Sequence, residues 1–391
     1  MFILLLSISD SYPSIPPPFI QIHAQFDLET IKKRDLVIDL GNGIKTNAQL
    51  TLPVIGNGPY PGVLLILGSG AEDMNETAGF IHINKTIGEK QYPPTPFFDI
   101  SIYLSERGFA VLKYDKRGIG ENHTIIDATV WGNMTQNDLI KDADIALNVL
   151  IQQPEVNTNK ISVLAHSEGT VIALRLAIDN HDKVKNIVLM GSLAQSVSSI
   201  VYFQQVNLLL KYTKEILDKN KDGLLSLKEA SEDLVFQSMV GGSISIIFTK
   251  ENVSSDDTNT NDEQTSQSLN PKFNQDNEIF ISIENELRPA LKKLAEKFLT
   301  PTPGKCVSLE GCQLWVRSFL ESQVNLDIIS NITKNTSILL LKGENDTQTP
   351  VEQAFLLEQK LTELDHPDHI LITYPNLGHE FSPSSEWYYL L

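Results

Sequence analysis

The stretch Ile161-Ser-Val-Leu-Ala-His-Ser-Glu-Gly169 joins a short, mostly apolar run to a segment with the period of a helix. In so tight a strand–turn–helix junction the central residue takes a positive φ, and the residues two before and two after it must be small. Ala165 and Gly169 meet that demand. The geometry lifts the Ser167 hydroxyl above the carboxyl end of the sheet, and it leaves the Glu168 N–H at the positive end of the helix to bind an oxyanion. The stretch therefore predicts a nucleophilic serine; the alternative is a turn serine beside a glycine.

Apolar runs and helical patterns alternate along most of the chain. Runs of four to six residues that are apolar throughout suit strands buried on both faces, as in a parallel sheet. The sequence Gly41-Asn-Gly43 predicts a hairpin between the first two strands. The alternation implies right-handed crossovers, and so an α/β fold with a doubly wound, mostly parallel sheet. The predicted strands are Leu36–Leu40, Ile44–Leu52, Val63–Leu67, Ala110–Tyr114, Ile161–Ala165, Ile187–Met190, Ile338–Leu341 and Ile370–Thr373, and the predicted helices between them are Phe97–Arg107, Gln136–Gln152, Gly169–Asp179 and Val351–Leu364.

The alternation is interrupted once, which predicts an inserted domain. Residues 25–192 and 326–391 carry the strand–helix pattern and are expected to form one catalytic domain of ordinary size. Residues 193–325 are predicted to be a helical cap. Within the cap, residues 250–278 are crowded with Ser, Thr, Asn, Asp and Gln and predict a flexible loop. Residues 1–24 are interpreted as an N-terminal tail or the remnant of a signal peptide.

Composition excludes several classes of protein. The chain has 31 Lys and Arg against 49 Asp and Glu, a net charge of −18, so it would repel the phosphates of nucleic acid. No run approaches the roughly 20 apolar residues that a membrane-spanning helix needs. Two cysteines in 391 residues exclude a disulfide framework, although Cys306 and Cys312 could bridge across a short loop. The apolar segment Met1–Ser9 and eight Asn-x-Ser/Thr sequons favour a secreted or cell-surface protein, with a cytoplasmic protein as the alternative.

A serine nucleophile needs a general base, and the base needs an acid to orient it. In a sheet of this kind the three follow one another in the order nucleophile, acid, base, each at the carboxyl end of a strand. Asp346 follows the strand Ile338–Leu341 and is the predicted acid, with Glu344 as the alternative. His379 follows the last strand and is the predicted base.

The turn after the third strand should supply a second oxyanion donor. It reads Leu67-Gly-Ser-Gly-Ala-Glu-Asp73, and its glycines let the backbone approach a ligand closely. The Ser69 N–H is the expected donor beside that of Glu168, and the Gly70 N–H is the alternative. A phosphate-binding loop is excluded because no Gly-Lys-Ser/Thr follows. The other seven histidines, His166 among them, are interpreted as surface or structural residues.

These motifs together resemble the α/β-hydrolase superfamily, and in particular microbial carboxylesterases with a Gly-Ser-Gly turn after strand three. The resemblance rests on the turn at 67–73, on Ala110-Val-Leu-Lys-Tyr-Asp-Lys-Arg-Gly-Ile-Gly120, and on the segments that hold Ser167, Asp346 and His379. It covers nearly the whole predicted catalytic domain and implies an esterase. This sequence departs from the pattern with Ala71 in place of a proline, Leu67 in place of a histidine, and a longer cap. Asp115 and Arg117 are interpreted as structural support.

The cap contains a motif that this resemblance does not explain. The sequence Asp218-Lys-Asn-Lys-Asp-Gly-Leu-Leu-Ser-Leu-Lys-Glu229 fits a twelve-residue EF-hand loop, and helical patterns flank it. It predicts one structural Ca²⁺ that braces the cap, whereas the alternative is a solvated acidic turn. The predicted ligands are Asp218, Asn220, Asp222, the Leu224 carbonyl, Ser226 and Glu229.

The sequence therefore predicts a serine hydrolase that cleaves small carboxylic esters through an acyl-enzyme, without a cofactor for catalysis. Apolar cap residues that could line the site suggest small to medium acyl groups. These residues are Tyr202, Phe203, Leu208–Leu210 and Trp315. Two alternatives are left open: a peptidase, acyltransferase or lactonase with the same triad, and a calcium-binding module on an inactive hydrolase scaffold.

Overall fold

The computed structural model describes residues 28–77, 82–83, 90–91, 94–240, 244–248, 272–273, 279–300, 306–308 and 311–381. These residues fall into two compact units. One unit holds the chain up to Val197 and again from Pro301, and the other comprises Ser198–Thr300. The predicted tail at 1–24 lies outside the described residues, as does nearly all of the predicted loop at 250–278.

The first unit is built around one eight-stranded sheet. Its strands, in chain order, are β1 (Ile31–Gly41), β2 (Ile44–Pro53), β3 (Tyr60–Ile66), β4 (Ala110–Tyr114), β5 (Val156–His166), β6 (Val184–Met190), β7 (Ser337–Gly343) and β8 (His369–Tyr374). In the sheet they lie in the order β1-β2-β4-β3-β5-β6-β7-β8. The pairs of β2 with β1 and with β4 are antiparallel, and all the other pairs are parallel. The predicted α/β-hydrolase fold class, with its mostly parallel sheet, is thereby confirmed.

Both faces of the sheet are covered at its centre. Successive residues of a strand point to opposite faces, and in β3 every residue of Val63–Ile66 is buried. On one face Val63 and Leu65 pack with Phe97 of the neighbouring helix and with Val111 of β4. This double burial is why the central strands appear in the sequence as continuous apolar runs.

The helices of the first unit follow the predicted ones to within one or two residues. The helix after the elbow begins at Glu168, one residue before the predicted start, because Ser167 alone makes the turn. The larger helices are Pro96–Glu106, Gln136–Ile151, Glu168–Asp179, Gln313–Leu320 and Glu352–Glu363, and shorter ones lie at Leu28–Thr30, Ala128–Gly132, Asn325–Ile328 and Ile329–Asn331. Short strand pairs also occur: His82–Ile83 with Lys90–Gln91, Ile119–Gly120 with Thr124–Ile125, and Cys306–Ser308 with Gly311–Cys312.

The second unit is mainly helical. Residues 198–217 form one helical run whose hydrogen bonding twice widens to π-helical turns, and the helical stretch that follows Ser226 is broken at Asp233. The helical segments are Val197–Tyr202, Phe203–Asn207, Leu208–Tyr212, Thr213–Leu217, Leu227–Glu232, Leu234–Val240, Ile244–Ile247, Ile283–Leu287 and Arg288–Leu299. A small antiparallel sheet joins Leu224–Ser226 to Ile279–Ser282, which also pairs with Lys272–Phe273.

The predicted cap boundary at residue 325 needs a correction. The helix Gln313–Leu320 belongs to the sheet unit, because Ser318 accepts a hydrogen bond from the Gln136 N–H and Trp315 bonds to Glu168. The inserted unit is thus shorter than the predicted cap. No helix in the described part of the chain combines the length and apolar character that crossing a membrane requires.

Candidate active site

Ser167 occupies a strained turn between β5 and the helix Glu168–Asp179. Its backbone has φ 52° and ψ −120°, a left-handed conformation that is rare for a residue with a side chain. Its N–H donates to the Met190 carbonyl at 2.9 Å, which ties the turn to the end of β6. A Cβ at Gly169 would lie 2.4 Å from the Ile66 carbonyl oxygen, so only glycine fits there. The small residues of the motif thus allow the helix to start against β3.

Asp346 and His379 are in direct contact. His379 Nδ1 lies 2.8 Å from Asp346 Oδ2, and both side chains are buried. Nε2 of His379 is also buried and has no hydrogen-bond partner among the described residues. It is therefore the ring nitrogen still able to take a proton. Glu344, the alternative acid, is exposed and accepts a hydrogen bond from the Thr373 hydroxyl instead.

The Asp346 carboxylate collects hydrogen bonds on both oxygens. Oδ1 accepts the N–H groups of Gln348 and Thr349 at 2.9 and 2.8 Å. Oδ2 accepts the Thr349 hydroxyl at 2.9 Å and the Lys342 ammonium at 2.8 Å, in addition to its contact with His379. Burial alone would raise the pKa of Asp346, but His379 and Lys342 outweigh it and hold that pKa below its usual range. Lys342 was not among the predicted site residues.

His166 lies inside the site rather than at the surface. Its ring centroid is 4.6 Å from that of His379. One ring nitrogen, Nδ1, is 3.0 Å from Glu76 Oε1, and the other, Nε2, is 3.0 Å from the His379 carbonyl oxygen. Both partners are acceptors when Glu76 is ionised, so the ring donates from both nitrogens and is an imidazolium. Of the two interpretations of His166, surface or structural, its burial leaves the structural one: the ring holds the backbone of His379.

The two adjacent histidines have opposite pKa shifts. Burial opposes the charge on His166, but Glu76 and Glu380 and the hydrogen bonds to Glu76 and the His379 carbonyl prevail and raise its pKa to about 10. Burial lowers the pKa of His379, and the charge of His166 acts in the same direction, against Asp346. At neutral pH the His166 ring is thus charged and the His379 ring is neutral. A neutral ring is the form that can act as a general base.

In the turn that carries Ser69, both backbone polar groups of Gly68 are hydrogen-bonded to side chains. The Gly68 N–H donates to Glu76 Oε1 at 2.8 Å, and its carbonyl accepts from the Lys116 ammonium. The Gly68 N–H is therefore engaged and is not the donor from this turn. The Ser69 N–H, with that of Gly70 as the alternative, stays the predicted donor. Glu76 also binds His166, so one carboxylate joins the oxyanion turn to the nucleophile elbow.

The second expected donor, Glu168, is anchored through its side chain. Its carboxylate accepts from the Lys116 ammonium at 3.0 Å and from the Trp315 indole N–H. Since Glu168 is the first residue of its helix, its N–H has no partner within that helix. Trp315 was expected to line the substrate pocket in the cap, and this too is corrected: the buried indole supports the catalytic turn from within the sheet unit. Lys116 contacts both segments that would form the oxyanion hole.

Asp115 and Arg117 flank Lys116 and hold neighbouring segments in place. Arg117 makes a two-pronged contact with Asp142, from Nε at 2.7 Å and from Nη2 at 2.6 Å. Asp115 accepts the Met74 N–H at 2.7 Å. Both residues thus brace the loops around the site.

Two groups of residues could be considered for a metal. His166, His379 and Glu380 present ligand atoms within 4.8 Å of one another among the described residues, but both nitrogens of His166 and Nδ1 of His379 already have partners, so this group belongs to the hydrolytic site. In the loop 218–229, the Asp218 carboxylate accepts the N–H groups of Asp222 and Gly223, both at 3.0 Å.

The remaining predicted calcium ligands lie along the same loop. Asn220 donates to Asp222 Oδ2 at 2.8 Å, and Leu224 starts the short strand that pairs with Ile279–Ser282. Ser226 and Glu229 form a reciprocal capping box at the start of the next helix: Ser226 Oγ accepts the Glu229 N–H, and Glu229 Oε2 accepts the Ser226 N–H, both at 3.0 Å.

Comparison with known proteins gives two family matches. The serine aminopeptidase S33 family matches residues 97–266, and the prolyl oligopeptidase family matches residues 312–389. Together the two matches and the sheet support placement in the α/β-hydrolase superfamily.

The esterase EstD of Thermotoga maritima is 29% identical over 204 residues, which are 52% of this chain and 42% of that protein. The chain thus matches less than half of that relative's length. Among solved structures, Est1E of Butyrivibrio proteoclasticus, with ferulic acid bound, is 15% identical with a TM-score of 0.47 and covers 91% of this chain and 93% of its own. The proline iminopeptidase of Mycobacterium smegmatis is 16% identical with a TM-score of 0.47, covering 89% and 92%.

The charged His166 generates a prediction about stability and pH. Its pKa is about 10 in the folded protein, against an ordinary value of 6.5 for histidine, so its contribution to stability is complete below about pH 6.5 and is lost as the pH rises through about 10. His166→Gln should reduce the free energy of unfolding at pH 6 by roughly 3–5 kcal/mol, the cost of leaving one buried partner unpaired. The difference between wild type and variant, measured by denaturant unfolding, should shrink steadily towards pH 10.

A matched control is His366→Gln. His366 is also buried, but burial lowers its pKa, so its difference from wild type should not shrink as the pH rises. A difference for His166→Gln that is constant from pH 6 to 10 would show a neutral ring.

Proposed function

We propose that the chain is a serine esterase that acts through an acyl-enzyme. The proposal rests chiefly on the buried contact between His379 and Asp346, with Nε2 of His379 unengaged, at the carboxyl edge of the sheet where the Ser167 elbow also lies. The likeness to an esterase over half of the chain supports ester substrates.

The chemistry follows from this arrangement. Ser167 Oγ attacks the acyl carbon while His379 Nε2 takes the hydroxyl proton, and Asp346 stabilises the imidazolium that forms. The Glu168 and Ser69 N–H groups bind the oxyanion of the tetrahedral intermediate. His379 then gives its proton to the leaving alcohol, and a water molecule activated by the same histidine hydrolyses the acyl-enzyme.

A second candidate is amide cleavage by the same residues. Both family matches are to peptidases, and the triad chemistry is the same for the two bonds. Turnover of p-nitrophenyl esters and of aminoacyl p-nitroanilides by one preparation separates the two functions. Faster turnover of the anilides would make the chain a peptidase.

Removal of the nucleophile is the first test. Ser167→Ala should lower kcat for p-nitrophenyl butyrate by at least about 10³-fold, because no acyl-enzyme can form. Thermal unfolding of the variant should remain close to that of wild type. Activity at the wild-type level in Ser167→Ala would refute the assignment, and a wild-type protein that cleaves neither esters nor anilides would favour a binding scaffold.

The acid is tested by a matched pair. Asp346→Asn should lower kcat by about 10³–10⁴-fold, because an amide cannot stabilise the imidazolium. Glu344→Gln changes the same functional group two residues away and should leave kcat close to wild type. The reverse ranking would make Glu344 the acid.

We further propose small to medium acyl groups as substrates; the proposal rests on the sequence alone, in which bulky apolar residues such as Tyr202 and Phe203 follow β6. The p-nitrophenyl esters of acetate and butyrate should then react with kcat/KM about tenfold or more above the palmitate ester. The measurement is a series from two to sixteen acyl carbons below the micelle concentration of each ester. A steady rise with chain length would instead indicate a lipase-like pocket.

We also propose that loop 218–229 binds one Ca²⁺ as a structural brace. The loop offers oxygen at each predicted ligand position, which suits a hard cation. Asp218 already orders the turn through two backbone N–H groups, and β-pairing at Leu224–Ser226 tethers its second half. For Glu229 to bind the ion with both oxygens, its capping bond to Ser226 would have to yield.

Calcium should therefore raise thermal stability. Binding to the folded form alone contributes about 2.7 kcal/mol at a hundredfold excess over Kd. We expect EDTA to lower the melting temperature and Glu229→Gln to abolish that response, while Glu232→Gln, an exposed carboxylate on the same helix, keeps it. Turnover should fall less than stability, because the catalytic residues lie outside the inserted unit. Calorimetric titration of metal-stripped protein with no uptake of Ca²⁺ would contradict the brace.

A further inference from the structure

A lysine is buried beside the catalytic acid. Lys342 is the last residue but one of β7 and is completely inaccessible to solvent. Its ammonium lies 2.8 Å from Asp346 Oδ2 and also donates to the Thr349 hydroxyl. A triad needs only its acid, base and nucleophile, so this additional charged group is not explained by the esterase mechanism.

The ammonium and the base share one oxygen atom. His379 Nδ1 is also 2.8 Å from Asp346 Oδ2. The carboxylate is thus already opposed by a positive charge before His379 takes a proton. A buried ammonium is strongly disfavoured unless it is paired, so Lys342 and Asp346 form a neutral pair in which the carboxylate attracts a second cation less strongly.

We infer that Lys342 is a positioning residue that regulates the base: through Asp346 it keeps His379 unprotonated, and so catalytically competent, to lower pH than Asp346 alone would allow. The inference deepens the proposed function, because it concerns the same site. It assigns to Lys342 a role in the pH range of the reaction and none in the bonds that form and break.

The other charged groups around His379 are consistent with this role. His166, at the end of β5, presents a second cation with its ring centroid 4.6 Å away. Glu76 pairs with His166, and Glu380 follows His379 in the chain. The segment after β6 approaches through Gly191, which carries no charge. Two cations on different strands therefore act on the base: His166 beside its ring, and Lys342 through the shared Asp346 oxygen.

A purely structural role is the competing explanation. Thr349 Oγ1 accepts from the Lys342 ammonium and lies 3.1 Å from the Gly191 carbonyl oxygen, so the lysine also orders the turn that follows β7. Loss of such order would lower stability and kcat at every pH. Only an effect on charge would move the acid side of the pH profile.

The test is the dependence of kcat/KM on pH for p-nitrophenyl butyrate. Lys342→Gln keeps a hydrogen-bond donor for Asp346 and removes the charge. We expect the acid limb of the profile, where activity falls as His379 takes a proton, to move to higher pH by at least about one unit. This is the size expected for the loss of a full charge a few ångströms away. The plateau above pH 8 should be much less affected. Lys342→Met should move the limb in the same direction.

Lys113→Met is the matched control. Lys113, on β4, is a second buried lysine of the same sheet and donates to Asn75 in the segment after β3. Its loss should reduce stability without moving the acid limb. An unshifted limb in folded Lys342→Gln, or an equal shift in Lys113→Met, would overturn the inference.

A measurement without turnover separates this inference from the proposed function. The imidazole of His379 can be titrated by NMR in Ser167→Ala, with Lys342 intact or replaced by Gln. A higher pKa of His379 in the Lys342→Gln background supports the role of the lysine even if no ester proves to be a substrate. Equal pKa values in the two backgrounds would refute it.

Discussion

The buried carboxylate of Asp346 sets the conditions that its surroundings must meet. A carboxylate shielded from water is tolerated only if hydrogen bonds and opposite charges replace its hydration. Here the turn at Gln348–Thr349 supplies two N–H groups, Thr349 supplies a hydroxyl, and Lys342 and His379 supply the charged or polar partners. The end of β7, the turn after it and the segment after β8 are therefore held in one arrangement by a single side chain.

The same principle recurs around the site in two further ion pairs. Lys116 with Glu168 and His166 with Glu76 are buried, and each pair joins segments that lie far apart in the chain. Such pairs are often no more stabilising than apolar packing, whereas loss of one partner is costly. Their use here is therefore best understood as fixing positions. They hold in place the backbone N–H groups and ring nitrogens to which the proposed mechanism gives a role.

The parts of this architecture that could be predicted from sequence depend on local patterns. The strands follow from apolar runs, the elbow from small residues around Ser167, and the positions of Asp346 and His379 from the ends of strands. Tertiary pairing could not be predicted in the same way. Glu76 and His166 are 90 residues apart, and Glu168 and Trp315 are 147 apart. No local spacing links them, so Trp315 was expected in the cap and the pairing of His166 with Glu76 was not predicted.

One local signal was present for Lys342. A single lysine directly after Ile338–Leu341 must be buried if the strand is central, and a buried lysine needs an acidic partner. The nearest candidates were Glu344 and Asp346, which follow that lysine closely in the chain. Cys306 and Cys312 are register partners on two short paired strands, and the disulfide between them stays a prediction.

The position of the insertion has a consequence for how such a chain can diversify. Residues 198–300 enter after β6 and leave before β7, while every catalytic residue and every buried ion pair described around the site comes from the sheet unit. Mutations in the two stretches therefore face different selection. The inserted stretch can be lengthened or exchanged without rebuilding the buried ion pairs of the sheet unit. The chain can thus vary in this stretch while the groups proposed for the reaction are inherited unchanged.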